Sequence, residues 1–92
     1  MLSILELKIE ARRLYDSGQD EEAWGLWREA AHRGDEGSAW TLGLSLVNVG
    51  WVSKHFEEAL FWVSRGCPAG KEDVQLIAIG QCLRRMSRRE MP

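Results

Sequence analysis

EEAWGLWREAAHRG at residues 21–34 and EEALFWVSRGCPAG at residues 57–70 are nearly one phrase written twice, at an offset of 36. In register, Ala23 meets Ala59, Trp27 meets Val63, Ala30 meets Gly66, Ala31 meets Cys67 and Gly34 meets Gly70. Each copy runs small, bulky at +3 and +4, small at +7 and +8, and glycine at +11. Residues spaced by four and seven share one helical face. The pattern therefore describes a helix that lets a neighbour approach at its small residues and fills the gap with its bulky ones. A second pattern lies between the copies and recurs after the second: Leu42-Gly43 followed by Leu46, and Ile79-Gly80 followed by Leu83. Both patterns belong to helices.

Glycines at 18, 34, 50 and 70 separate segments of helix length with apolar periodicity, and a glycine just past such a segment suits a left-handed C-terminal cap. The spacing predicts helices over residues 2–17, 20–33, 36–49, 54–66 and 71–87. Asp20 and Ser53 are read as N-caps, and Glu21, Glu22, Glu72 and Asp73 as first-turn acids. The paired Glu21-Glu22 and Glu57-Glu58 recur with the repeat and are read as helix starts, not acid–base pairs. No strand-like alternation occurs. The expected fold is all-α, a short α-solenoid of about two and a half helix-turn-helix repeats, because hairpins repeating every 34–38 residues bury each face on the next. Repeat 1 spans about 2–34, repeat 2 about 35–70 and a terminal helix about 71–87.

AAHRGDEGSAWTLGLSL, followed by FEEALFW, resembles the Sel1-like repeat, a relative of the tetratricopeptide repeat. Its roles fall to Ala23, Leu26-Trp27, Ala30-Ala31, Gly34 and Leu42-Gly43, then to Ala59, Trp62-Val63, Gly66-Cys67, Gly70 and Ile79-Gly80. The resemblance covers roughly residues 10–84. It departs at the short turn between the first two helices and at Pro68. It implies a role in protein–protein interaction without enzymatic activity.

Ninety-two residues with 45% apolar and 28% charged side chains describe one folded domain with a thin core. The net charge of −2 argues against general nucleic-acid binding, which wants a basic footprint. The charge is uneven. Residues 1–36 hold nine acids and five bases, whereas residues 37–92 hold five acids and seven bases. No apolar run reaches the ~20 residues of a membrane span, and MLSILELKIE carries acids where a signal peptide would not. Cys67 and Cys82 are read as reduced thiols, and a cytoplasmic setting is expected.

If the helices at 36–49 and 71–87 line the concave face, Trp40, Leu44, Val47 and Asn48 point into it from the first, and Ile77, Gln81, Arg84 and Arg85 from the second. Aromatic and arginine residues together are typical of interface hot spots. Packing of Trp40 and Leu44 on adjacent helices is the alternative. In the first helix Ile4, Leu7, Ala11 and Leu14 form the expected core stripe, while Leu2, Leu5 and Ile9 form a second one on the opposite side. That second stripe suggests self-association or another protein contact, unless the N-terminus folds back over the core. Arg84, Arg85, Arg88 and Arg89 form a basic edge suited to an acidic protein or, less well, to nucleic acid; the plainer reading is a solvated helix end that satisfies the dipole.

His32 and His55 lie in different units, and neither has a Cys or carboxylate at helical metal-ligand spacing that recurs in the repeat, so a zinc site is not expected. No phosphate loop or nucleophile motif occurs, and a Cys67 or Cys82 nucleophile would need a base that the sequence does not supply. No catalytic, cofactor or metal residue is expected. The expectation is a module that grips one protein target through the concave face, as an adaptor, inhibitor or immunity-type protein. Its alternative is a binder of nucleic acid or an acidic protein through the C-terminal arginines.

Overall fold

A computed structural model describes residues 1–49 and 53–89. Among these residues there are five helices: α1 (Ile4–Asp16), α2 (Asp20–His32), α3 (Glu36–Val49), α4 (Ser53–Arg65) and α5 (Glu72–Arg89). No strand occurs among the described residues. The helices pack in chain order, each chiefly on its neighbours, with a slight α3–α5 contact. This serial packing gives an elongated body of 45 × 28 × 20 Å and the form of a small helical-repeat bundle.

Local chemistry sets most of the helix ends. Gly18, Gly34 and Gly70 have φ of 84°, 101° and 88°. At the first two, a closing bond follows, from Gln19 N–H to Leu14 C=O (2.9 Å) and from Asp35 N–H to Ala30 C=O (3.1 Å). Those bonds satisfy carbonyls that a helix end leaves open. The role expected of Gly50 lies outside the described residues.

The N-termini differ from expectation. Asp20 is the first residue of α2, and Gln19 occupies the cap without a side-chain hydrogen bond; Ser53 is likewise the first residue of α4. Two real caps escaped the sequence reading. At α1, Ser3 Oγ accepts from Glu6 N–H (3.1 Å) while Glu6 Oε1 accepts from Ser3 N–H (2.9 Å), a reciprocal capping box. At α3, Asp35 accepts from both the N–H and the hydroxyl of Ser38, at 2.8 and 2.6 Å.

The core follows the repeat. Leu7, Ala11 and Leu14 of α1 are buried, as are Ala23, Trp24, Trp27 and Ala30 of α2 and Ala59, Trp62 and Val63 of α4. Ala23 and Ala59, the paired small residues, have no exposed surface. The close approach they permit is tightest between α3 and α4. A Cβ on Gly43 would stand 2.5 Å from Val63 Cγ1 and 2.9 Å from the Val63 backbone nitrogen.

Helix α5 departs from the expected pattern. Its Ile79-Gly80 pair does not enter the core as Leu42-Gly43 does: Ile79 is only partly buried at the core's edge. Instead Ala78 and Cys82 carry the core face of α5, and nothing lies within 4 Å of a Cβ built on Gly80. The reason is positional. At a spacing of 37, Cys82 corresponds to Ser45, and both are buried. Ser45 packs back on α2 by accepting from the Trp24 indole N–H (2.8 Å), and α5 packs back on α4 in the same manner. The Gln75 amide donating to Val63 C=O at 2.8 Å fastens this seam. The forward face, which α3 covers with α4, has no covering helix on α5 among the described residues.

Candidate partner-binding groove

Helix α3 lies between α2 on one flank and α4 and α5 on the other, so one strip of it stays open. Trp40, Thr41, Leu44 and Asn48 form that strip, and with Arg12 and Tyr15 of α1 they line a groove of about 330 Å³ floored by Trp27. Trp40 and Leu44 are half-buried and Asn48 is exposed. Tyr15 and Trp27 meet with ring centroids 5.4 Å apart, tilted by 53°, and the Arg12 guanidinium lies 6.0 Å from the Trp27 ring centre. The result is an aromatic trough with one cation at its rim. Aromatic rings hold such a surface rigid at low entropic cost, and their faces attract cations.

Five of the eight expected groove residues do not line it. Val47 is buried, only 8% exposed. It lies about 60° round the helix from Leu44, toward Gly43 and the α4 side, so packing takes it from the groove. Ile77, Gln81, Arg84 and Arg85 are exposed on α5 but do not line this groove. The second wall comes from α1, through Arg12 and Tyr15, which sequence reasoning did not assign. The Arg85 guanidinium stands 5.4 Å from the Phe56 ring centre. Arg88 and Arg89 lie within α5, but their side chains are outside the described set.

Leu2, Leu5 and Ile9 are open, at 43%, 65% and 61% exposure. Leu2 and Ile9 line a shallow depression with Glu6 and Glu10. The Leu2 carbonyl accepts from Arg33 at 2.7 Å, which ties the segment before α1 to the end of α2.

A polar cleft on the α2–α4 side was not anticipated. Arg28 forms a two-bond pair with Glu58, at 2.5 and 2.8 Å, and Glu58 also accepts from the Trp62 indole N–H at 3.0 Å. Burial pushes the Glu58 carboxyl up, but the Arg28 and Trp62 hydrogen bonds outweigh it and the net direction is down. Glu57-Glu58 therefore do not mark a helix start: α4 begins at Ser53, and Glu58 lies in its second turn. The readable signal was Glu58 and Trp62 at i and i+4 on one face. His55 packs edge-on to Trp24 at 5.2 Å between centroids, and its buried Nδ1 lacks a hydrogen-bond partner.

The thiols are poorly placed for nucleophilic work. Burial pushes Cys82 up. Cys67 is also pushed up, by desolvation and by Glu72 and Asp73, and thiolate is the reactive form. Among the described residues no group of three or more His, Cys, Asp or Glu is placed to hold a metal ion, and no helix is long and apolar enough to cross a membrane.

Comparisons of the chain with family models, with curated proteins and with solved structures return no match.

Proposed function

We propose that this protein is a Sel1-like or tetratricopeptide-like binding module that takes one segment of a partner protein into the α1–α3 groove. The observation that supports this reading is an aromatic trough left open along α3: Trp40 and Leu44 remain half-exposed beside Tyr15, Trp27 and Arg12. Such a surface suits a segment with an aliphatic or aromatic anchor and a carboxylate for Arg12. Acting on a single target, the module would serve as an adaptor, an inhibitor or an immunity-type protein in the cytoplasm.

The test compares three tagged chains used to capture partners from host lysate: the native protein, Leu44→Glu and Phe61→Ser. Phe61 is 44% exposed on α4 and lies outside the groove. One protein held by the native chain and Phe61→Ser but lost by Leu44→Glu is the expected result. Equal capture by all three discards the groove.

A further inference from the structure

Helices α2 and α4 pack chiefly on their sequence neighbours, and a cleft of about 330 Å³ lies between them. It is lined by Glu21, Trp24 and Arg28 of α2 and by His55 and Glu58 of α4. Helical spacing accounts for the lining, since residues 21, 24 and 28 share one face of α2 and residues 55 and 58 one face of α4. The volume falls at the lower end of the range that holds small ligands.

Three polar groups in this cleft have hydrogen-bonding capacity to spare. Arg28 gives Nε and Nη2 to Glu58, and Glu58 is held in turn by the Trp62 indole N–H. The guanidinium is therefore fixed in place with Nη1 unused. Glu21, exposed on the first turn of α2, has no hydrogen bond or ion pair among the described residues. The imidazole of His55 lines the cleft, and its buried Nδ1 has no partner. A buried polar atom without a partner needs accounting for, and a ligand donor would account for this one.

Charge selects the ligand. The cleft has a cationic anchor at Arg28 and an anionic one at Glu21, two turns apart on one helix. Asp20 and Glu22 add negative charge at the Glu21 end. A simple anion would satisfy Arg28 but face Glu21 and Glu58. A simple cation would satisfy Glu21 but turn a like charge toward Arg28 Nη1. A ligand that carries both signs meets each anchor with its opposite. Its carboxylate accepts from Nη1, and its ammonium, with three N–H donors, serves both Glu21 and His55 Nδ1.

We propose that the α2–α4 cleft binds a small zwitterion, an α-amino acid, with its carboxylate on Arg28 and its ammonium between Glu21 and His55. Trp24 supplies the apolar wall beside the ligand's side chain. Glu58 is a positioning residue, which holds the guanidinium at the angle that the carboxylate needs. None of these residues lines the α1–α3 groove, so the inference stands independently of the proposed function.

The test is a proton–nitrogen NMR titration of the native chain with the standard α-amino acids, one at a time, to about ten times a 1 mM dissociation constant. The Arg28 Nε–H and the indole N–H signals of Trp24 and Trp62 report on the cleft, and the Trp40 indole reports on the groove. Saturable shifts confined to the cleft signals, with at least one amino acid, are the expected result. The amide of that amino acid keeps only the cation, and its N-acetyl derivative keeps only the anion. Each is expected to bind at least about 10-fold more weakly, as is the amino acid itself to Glu21→Gln. Glu21 makes no bond that the fold needs, and circular dichroism checks that the variant is folded. No saturation with any amino acid overturns the proposal. An amide that binds as well as its parent makes the cleft a cation site, and an N-acetyl derivative that does so makes it an anion site; either overturns it. So does full affinity in Glu21→Gln, or a shift at Trp40 in place of the cleft signals.

Discussion

Gly43 and Gly80 follow the same kind of residue, one repeat apart, on helices that pack back on their predecessors in the same manner. One is sealed and the other is open. At Gly43 a methyl group would meet Val63 Cγ1 at 2.5 Å, the Val63 nitrogen at 2.9 Å and the Ala59 carbonyl at 3.3 Å. At Gly80 it would meet nothing within 4 Å. The difference lies in what covers each face: α4 packs over Gly43, whereas among the described residues no helix packs over Gly80. In a serial bundle each helix has a backward face and a forward face, and the sequence of the helix prepares both.

The largest expected effect breaks the sealed side. Gly43→Ala forces a methyl into backbone as well as side-chain atoms, and backbone on two packed helices cannot move aside as a rotamer can. Overpacking of this kind costs about 2–3 kcal/mol, and the better helix propensity of alanine offsets less than half of it. Thermal unfolding should show a fall in Tm of about 5–15 °C. An unchanged Tm would mean that α3 and α4 do not approach this closely.

The seam between α2 and α3 gives the next effect. Ser45→Ala removes the acceptor of the buried Trp24 indole N–H without changing shape greatly. Leaving that donor unpaired costs about 1–2 kcal/mol, measured by denaturant midpoint at constant slope. The corresponding position on α5 is Cys82, which asks nothing of α4 but space, and Cys82→Ala should cost only lost packing.

These contrasts mark where sequence reading ends. The helix count and most boundaries were legible because they depend on local matters: glycines at left-handed caps, acids in first turns and apolar spacing. The capping box at Ser3 and Glu6 was equally local and was overlooked. Val47 and Gly80 were not legible in the same way. Whether Val47 enters the groove depends on how α4 and α5 cover one flank of α3, and whether Gly80 is covered depends on a neighbour beyond α5. Glu58 looked like a helix-start acid because its repeat partner Glu22 is one. Only the α2–α4 seam, which brings Arg28 to it, reveals the ion pair. The groove was half legible, since Trp40, Leu44 and Asn48 line it while its other wall came from an unassigned helix.

On the open side, Gly80→Ala should stabilise the protein by about 0.5–1 kcal/mol, because it removes a helix-interior glycine where no atom objects. A rise in Tm of a few degrees is the expected result, and an unchanged or lower Tm would mean that the space over Gly80 is not open.

The smallest effects are those of pH, and they divide between the two seams. Glu58 and Asp35 both lie below their ordinary values; for Asp35 the Ser38 side chain is the chief cause. A carboxyl held lower in the folded state contributes stability that is fully present above its unfolded value and is lost as pH falls through the folded one. Acid weakening therefore sets in below about pH 4.5, the ordinary glutamate value. Because the Arg28 and Glu58 side chains are 38% and 28% exposed, solvent screens the pair and the loss is shallow. Cys82 runs the other way. Its buried thiol is held above the ordinary value of 9.0, so its contribution is complete below that pH and is lost as pH rises toward the folded value. Glu58→Gln should flatten the acid limb of a stability–pH profile and leave the alkaline limb alone, while Cys82→Ala should do the reverse. An acid limb that Glu58→Gln leaves untouched would move the titration to Asp35 and the start of α3.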